Sequence, residues 1–550
     1  MDAHDEPQGS TGDPSSTIPL EVDGRPVTVV DDGGSLLETL RGQLGVRSAK
    51  DGCAPQGQCG CCTVLVDGQP RVACVTPTRR VAGRSITTLD GLDPDVRAGW
   101  ADAMTACGAS QCGFCTPGIV VRLAGLEARR PDAGLAEVDR ALAAHLCRCT
   151  GWQTVEEAWE VRRSGATPAP RDLASARERA ALEGGVDQSV GPATALGAGG
   201  FAADTAPEDA LVAVVGADGG WVVADSVRAA RAAAGKVQGR RSTVVPGPPL
   251  DVPDGDWVAT LSTSWVEPAY VETDAAWSAP DGRSGGPLAN GGAFGAKTDT
   301  PVVEAARRLA AEHGRPVLAL WSREDATRHG PKRPPFAGGV RADGTGVVRT
   351  VAAAGIADAV RRVAPGLVVE EVEVPGPPVS AGLRAAGWAE ALALLAAAGV
   401  SSPYLDVDGT SVRVTDPDGG AARVTVTPSG IDVEVEAGAP LDLVVLRSYC
   451  IGAAHMALGW VTQEALGVTP DGEVVDLTVR SFGVLRAADM APVRVHVVDG
   501  DGPAVRVGDA VFVATAAAVW RSQGCPPVWP TGTLLRSTDP SVGSPTGGSR

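Results

Sequence analysis

Ten of the twelve cysteines fall between Cys53 and Cys149, and only Cys450 and Cys525 lie outside that stretch. This density limits the fold more than any other feature, because clustered thiols mean different things in different redox compartments. The opening residues, MDAHDEPQGSTGDPSST, are acidic and polar, with no basic n-region, apolar h-region or twin arginine. A cytoplasmic chain is therefore expected, in which structural disulfides are disfavoured and the thiols read as metal or redox ligands. A net charge of -18 argues against nucleic-acid and anionic-membrane partners. No apolar run is expected to reach the ~18 residues that a bilayer span needs. The longest candidate is the Ala/Leu stretch near 389–400.

With 550 residues, 44% of them hydrophobic, the chain has the material for three or four domains. Residues 1–16 read as a disordered tail and 537–550 as a flexible one. From 17 to 93 the pattern is strand-rich, with hairpin signals at Asp23-Gly24 and Asp67-Gly68 and a short amphipathic helix, SLLETLRGQL, between them. From 94 to 163 the period turns helical, in GIVVRLAGLEARR, LAEVDRALAAHL and TVEEAWEVRRS. Residues 164–192 form a Pro/Ala-rich linker, and 193–536 mix strands and helices without an internal repeat. The whole is an α+β multidomain chain.

The first group of thiols is Cys53, Cys59, Cys62 and Cys74, in GCAPQGQCGCCTVLVDGQPRVAC. A Gly-rich loop leaves backbone N–H groups free to face sulfides while thiolates hold iron. The spacing resembles the plant-type C-x4-C-x2-C…C pattern, with one extra residue in the first gap. Cys61 is an additional thiol and reads as a non-ligand, since Cys59 and Cys62 keep the x2 spacing. The second group is Cys112 and Cys115 in QCGFCTPG with Cys147 and Cys149 in LCRCTGW, both pairs expected at helix ends. Two 2Fe–2S clusters are the expected occupants. Structural zinc is the competing reading, disfavoured because C-R-C is an awkward pair for a tetrahedral zinc knuckle. Cys107 reads as a buried small hydrophobe.

Taken together, GCAPQGQCGCC…C, QCGFCTPG and CRCTGW resemble the iron–sulfur portion of the xanthine dehydrogenase/aldehyde oxidase family of molybdenum hydroxylases. The resemblance implies a β-grasp 2Fe–2S ferredoxin domain (17–93), then a helical 2Fe–2S domain of four-helix type (94–163). It also implies that Gln111, just before Cys112, touches the pterin of a molybdopterin cofactor. Beyond 193 the likeness is to a shortened, mixed α/β molybdopterin-binding domain. SWVEPAYVETDAAW resembles a cofactor-lining segment, and GGAFGAK (Gly291 to Lys297) resembles the family's G-G-G-F-G-G-K loop. That loop implies cofactor contacts at Gly292, Phe294 and Gly295. It leads into a helix that Asp299 or Thr300 can cap, with Pro301 in the first turn. AGLRAAGWAEA implies a further contact at Arg384. LRSYCIGAAHMALGWVTQEAL is similar to a late family segment; His455 within it reads as a packing histidine.

Two departures stand out. The family's general base is a Glu opening a late helix, and the matching residue here is Asp509, one methylene shorter. Asp509 also fits a plain helix N-cap, the simpler of its two roles, with Gly524 closing the far end. The region between Arg384 and Asp509 is abbreviated, and no flavin domain fits within 164–192. The resemblance therefore implies oxidation of an aldehyde or N-heterocycle, with water as oxygen source. Electrons would pass through both clusters to a separate flavin (FAD) subunit or a soluble carrier, and an oligomer is compatible with this. The alternative is a two-cluster electron-transfer subunit whose molybdenum-type domain serves for docking.

Overall fold

The computed structural model describes residues 16–236, 244–287 and 292–535. The tails expected at 1–16 and 537–550 therefore lie, except for Ser16, outside the described residues, as does Gly291. The first unit is a five-stranded mixed sheet. Thr17–Val22 lies between Arg25–Val30, to which it is antiparallel, and the central strand Ser85–Thr87, to which it is parallel. The last of these continues the sheet through Thr63–Val66 to Gln69–Val72. Both Asx-Gly turns form where expected, with positive φ at Asp23 (52°) and Asp67 (46°), because the twist of a two-residue hairpin loop demands it. The helical stretch 36–43 packs Leu36, Leu37 and Leu40 into the core of this sheet and is opened by a capping box between Ser35 and Glu38.

Four helices follow: α1 (Pro94–Cys107), α2 (Thr116–Arg129), α3 (Leu135–Leu142) and α4 (Gln153–Ser164). Asp93 caps α1, and Gly108 in the left-handed region ends it. Gly118 lets α2 lie on the ferredoxin-type loop, since a Cβ there would collide with the carbonyl of Gly60. Residues 164–192, expected as a linker, instead carry a 12-residue helix, α5 (Leu173–Gly184), with Asp172 as its N-cap and Gly185 as its left-handed C-cap. Ala176 and Ala180 of α5 pack on Val445 and Tyr449, so this segment is a splint between the two halves of the chain.

The remaining described residues contribute three further five-stranded sheets. Helix α6 (Val302–His313) lies on the sheet that contains Val317–Leu320. Its cap differs from expectation: Pro301 is the N-cap, and the Thr300 hydroxyl is buried without a partner. Three apolar helices, α7 (Trp388–Ala397), α8 (Leu443–Thr462) and α9 (Gly508–Ser522), pack together, and α9 lies against the sheet built from 405–436 and 493–497. The expectation about apolar runs is corrected here. Among the described residues helix α8, not the stretch near 389–400, is the longest apolar helix, and its 20 residues are long and apolar enough to cross a membrane. Arg447 and His455 break the apolar run in sequence without lowering its mean below that threshold. In the fold, 89% of its apolar window is buried against protein, as expected of a core helix.

Candidate functional site

All twelve cysteines are free, and the eight singled out from spacing are buried. Around the first loop, the Cys53 thiol lies against those of Cys59 and Cys74, and Cys74 lies against Cys62. Backbone amides turn toward the sulfurs. Gln56 N–H donates to Cys53 Sγ at 3.1 Å and Cys74 N–H to Cys62 Sγ at 3.4 Å. In the helical unit Cys112 Sγ and Cys149 Sγ stand 3.8 Å apart, and Cys115 faces Cys147. Cys115 caps α2 as expected, whereas Cys147 and Cys149 lie in the α3–α4 turn rather than at a helix end. Hydrogen bonds from the Cys115 thiol and from Thr150 favour Cys147 as a thiolate. Among the described residues no three Cys, His, Asp or Glu groups close on one point as a single-ion cage. Paired thiols suit a two-iron core, which takes two thiolates per iron. The surplus thiol of Cys61 is buried, its proton held by that burial and given to the Cys59 carbonyl at 3.7 Å. Cys107 is half-buried rather than buried.

The loops that carry the two thiol groups touch. Leu146 N–H donates to the Cys59 carbonyl at 3.0 Å, and His145 packs on Gly60, where a Cβ would collide with its ring. The second group is in turn pressed against the C-terminal half. The Gln111 amide donates to the Cys149 carbonyl at 2.9 Å and to Ser448 Oγ at 3.0 Å, so both its N–H bonds are taken by protein. Arg148, between the two cysteines, is buried in a bidentate pair with Glu464 (Nη2 to Oε2, 2.7 Å). Gly292 lies directly on it; a Cβ there would strike Arg148 and approach Cys149 Sγ to 3.6 Å.

Phe294 (φ 42°) and Gly295 (φ 103°) turn the glycine loop back on 381–387, where Arg384 N–H donates to the Phe294 carbonyl at 3.0 Å. The Arg384 guanidinium stacks on the Phe294 ring at 3.9 Å and donates through Nε to Asp509 Oδ1 at 3.1 Å. Arg506 holds the other oxygen of Asp509 at 3.0 Å. Asp509 is therefore not the N-cap of α9. It sits one residue inside the helix, and Glu183 of α5 caps it instead, accepting from Val507 N–H at 3.2 Å and Gly508 N–H at 3.0 Å. Lys297 is buried and donates to Glu272 at 2.7 Å. His455 is buried against the Leu485 carbonyl, and burial lowers its pKa to about 4, so it is neutral.

Phe294, Gly295, Arg384 and Asp509 line one open cleft of about 390 Å³. Gly292 and Gln111 do not reach it. Behind the Phe294–Arg384 stack is a void of about 40 Å³, room for a few waters at most. Among the cleft residues that sequence reasoning missed are Glu183, Asp416, Arg362 and Arg506. Asp416 is buried with Oδ2 unpartnered, and burial together with the charge of Asp509 pushes its carboxyl up. It had no local signal, because DPDGG reads as an ordinary turn.

A family model described as a [2Fe-2S] binding domain matches residues 88–160. The small FeS subunit of nicotinate dehydrogenase from Eubacterium barkeri is 35% identical over 147 residues, covering 26% of this chain and 91% of that one. The iron-sulfur-binding subunit of xanthine dehydrogenase from Escherichia coli O157:H7 is 37% identical over 146 residues, covering 26% of this chain and 91% of that one. The whole chain resembles in fold the aldehyde oxidoreductase of Desulfovibrio gigas, at a TM-score of 0.64 and 15% identity, covering 92% of this chain and 97% of that one.

Proposed function

Because the chain belongs to the xanthine dehydrogenase/aldehyde oxidase family of molybdenum hydroxylases, we propose that it is a two-cluster oxidoreductase whose C-terminal cleft seats molybdopterin. Cys53, Cys59, Cys62 and Cys74 hold one 2Fe–2S cluster; Cys112, Cys115, Cys147 and Cys149 hold the other. The substrate is an aldehyde or an N-heterocycle, with water as oxygen source and a separate flavin subunit or soluble carrier as electron acceptor. The observation that carries this reading is the convergence on one cleft of Phe294, Gly295, Arg384 and Asp509, which lie up to 215 positions apart in sequence. Its volume, about 390 Å³, falls in the range of small-molecule and cofactor sites.

When bound, molybdopterin supplies the two-electron oxidation chemistry, and the clusters supply one-electron transfer. The chain's own groups do the rest. The Arg362, Arg384 and Arg506 guanidiniums of the cleft are paired with Asp418 and Asp509, and would meet a phosphate only by giving up those carboxylates. Asp509 is the proton acceptor, and it takes a proton at Oδ1 only when Arg384 Nε releases that oxygen. Glu183, by pinning the first amides of α9, fixes the direction from which that carboxylate enters the cleft.

Iron, molybdenum and extracted pterin per polypeptide test the reading. About four irons with stoichiometric molybdenum and pterin are expected, together with dye reduction by an aldehyde or N-heterocycle that Asp509→Asn abolishes. One set of contacts favours a second reading, an electron-transfer chain with a docking domain. Gln111 and Arg384 are both spent on protein groups, and the space behind Phe294 is only about 40 Å³. Four irons without molybdenum, from a host that makes the cofactor, would favour it. Zinc in place of iron would sink both.

A further inference from the structure

Arg323 is a fully buried guanidinium in no ion pair among the described residues. Its Nη2 donates to the Gly52 carbonyl at 2.8 Å and to the Val271 carbonyl at 2.9 Å, while Nε and Nη1 have no partner. A buried cation without an anion is costly, and natural folds pair such charges. Its place in the first turn of the helix Arg323–His329 adds to the cost, since a helix N-terminus repels cations.

The surrounding acids are committed elsewhere. Glu272 pairs with Lys297, Glu267 with Lys332, Asp325 with Lys236 and Glu324 with Arg328. Asp274 is in no ion pair among the described residues, but accepts the Tyr270 hydroxyl at 2.6 Å. Besides the Tyr270 ring, 5.7 Å away, and the Val271 carbonyl, Arg323 touches the loop of the first thiol group. Gly52 immediately precedes Cys53 and is wedged so tightly that a Cβ would lie 3.0 Å from Cys59 Sγ and 2.8 Å from Val271.

We propose that Arg323 is a buried counter-charge of the cluster held by Cys53, Cys59, Cys62 and Cys74, added to Arg480, which acts on Cys53 and Cys59, and Arg231, which acts on Cys74, and that it raises that cluster's reduction potential. This rests on the assignment of those four cysteines. A 2Fe–2S core with four thiolates carries a charge of about -2 when oxidised and about -3 after gaining one electron. A fixed cation in a low-dielectric interior stabilises the more negative form. No proton or bond change is involved, and the electron donor in the test is dithionite. The cluster of the first cysteine group is therefore easier to reduce than it would be without Arg323.

The test is a redox titration of the purified full chain, both clusters loaded and followed by electron paramagnetic resonance. Each signal is first assigned by its loss in Cys53→Ser or Cys112→Ser. Arg323→Gln is expected to lower the potential of the Cys53 signal by at least a tenfold change in its reduction equilibrium, about 59 mV for a one-electron couple. The Cys112 signal should stay in place, and Arg323→Lys, which keeps the charge, should shift the first signal less. An intact cluster with an unmoved potential would overturn the proposal and leave Asp274 as the counter-charge. If Arg323→Gln does not accumulate, the Cys53→Ser background decides. There the substitution removes an uncompensated charge and should raise the unfolding temperature; a further drop would mean a purely structural arginine. A wild-type chain with no signal that Cys53→Ser removes would instead sink the cysteine assignment itself.

Discussion

At the scale of single residues, the site depends on how closely backbone approaches backbone. Gly452 of α8 lies against the Cys149 carbonyl, where a Cβ would collide with it, and Gln111 Nε2 is 3.6 Å away. Gly452→Ala is therefore expected to push α8 off the second thiol group. It should cost about 1–3 kcal/mol of stability, with loss of that cluster's visible absorbance; thermal unfolding and the visible spectrum check both. Asp509→Asn acts through charge, leaving the buried Arg384 guanidinium without its carboxylate. A loss of about 3 kcal/mol is expected in denaturant unfolding, whereas Asp509→Glu keeps the pair and should cost far less. Residues of this kind differ in how readable they are from sequence. The eight cysteines are legible because spacing within a loop is local information. Glu183 is not, since its partners, Val507 and Gly508, lie 324 and 325 positions away. The role of Asp416 likewise exists only once the cleft has formed.

At the scale of elements, α3 and α4 are joined by a pair of acids. The side chains of Asp139 and Glu156 hydrogen-bond to one another, and burial together with the neighbouring Asp139 pushes Glu156 up to about 8 from an ordinary 4.5. Between those two values the folded chain holds a proton that the unfolded chain has released, so stability falls as pH rises through that window. The full contribution is present below about pH 4.5 and gone above about pH 8. Unfolding temperatures measured across this range should decline more steeply for the wild type than for Glu156→Gln, in which the titration is absent. Parallel profiles would refute the shared proton. Element boundaries were legible where a local signal exists. The Asx-Gly hairpins and the α1 cap follow from side chains adjacent to the turn. Helix α5 was equally readable, since Asp172, a run of Ala, Arg and Glu, and Gly185 are its own start and stop signals. The flanking Pro/Ala composition hid it. The start of α6 was not readable, because burial turns the Thr300 hydroxyl away from the helix it was expected to cap.

At the scale of the molecule, the sequence suggests beads on a string and the fold is a single packed body. One hydrophobic core runs from Ile18 in the first sheet through the cysteine loops and α1 to α4, and on to Leu477 and Ala487. Polar contacts bind the same surfaces. The Gln56 amide donates to the Leu477 carbonyl at 2.7 Å and accepts from Val479 N–H at 3.1 Å. Trp152 Nε1–H donates to the Leu485 carbonyl at 3.1 Å, and Gln153 exchanges two hydrogen bonds with Val493. The splint α5 adds the Glu183 cap at the far end. Such contacts pair residues hundreds of positions apart, which is why no periodicity or composition shift announces them. They also make neither cysteine unit independent, because separating them from the C-terminal half exposes apolar surface and strands buried donors. Heating the cluster-loaded chain is therefore expected to give one transition, with visible absorbance and far-ultraviolet dichroism lost together. Gln56→Ala, at the junction, should lower both midpoints equally. Bleaching of the clusters well before the loss of secondary structure would mean that the cysteine units open on their own, and that the shared core is weaker than its continuity implies.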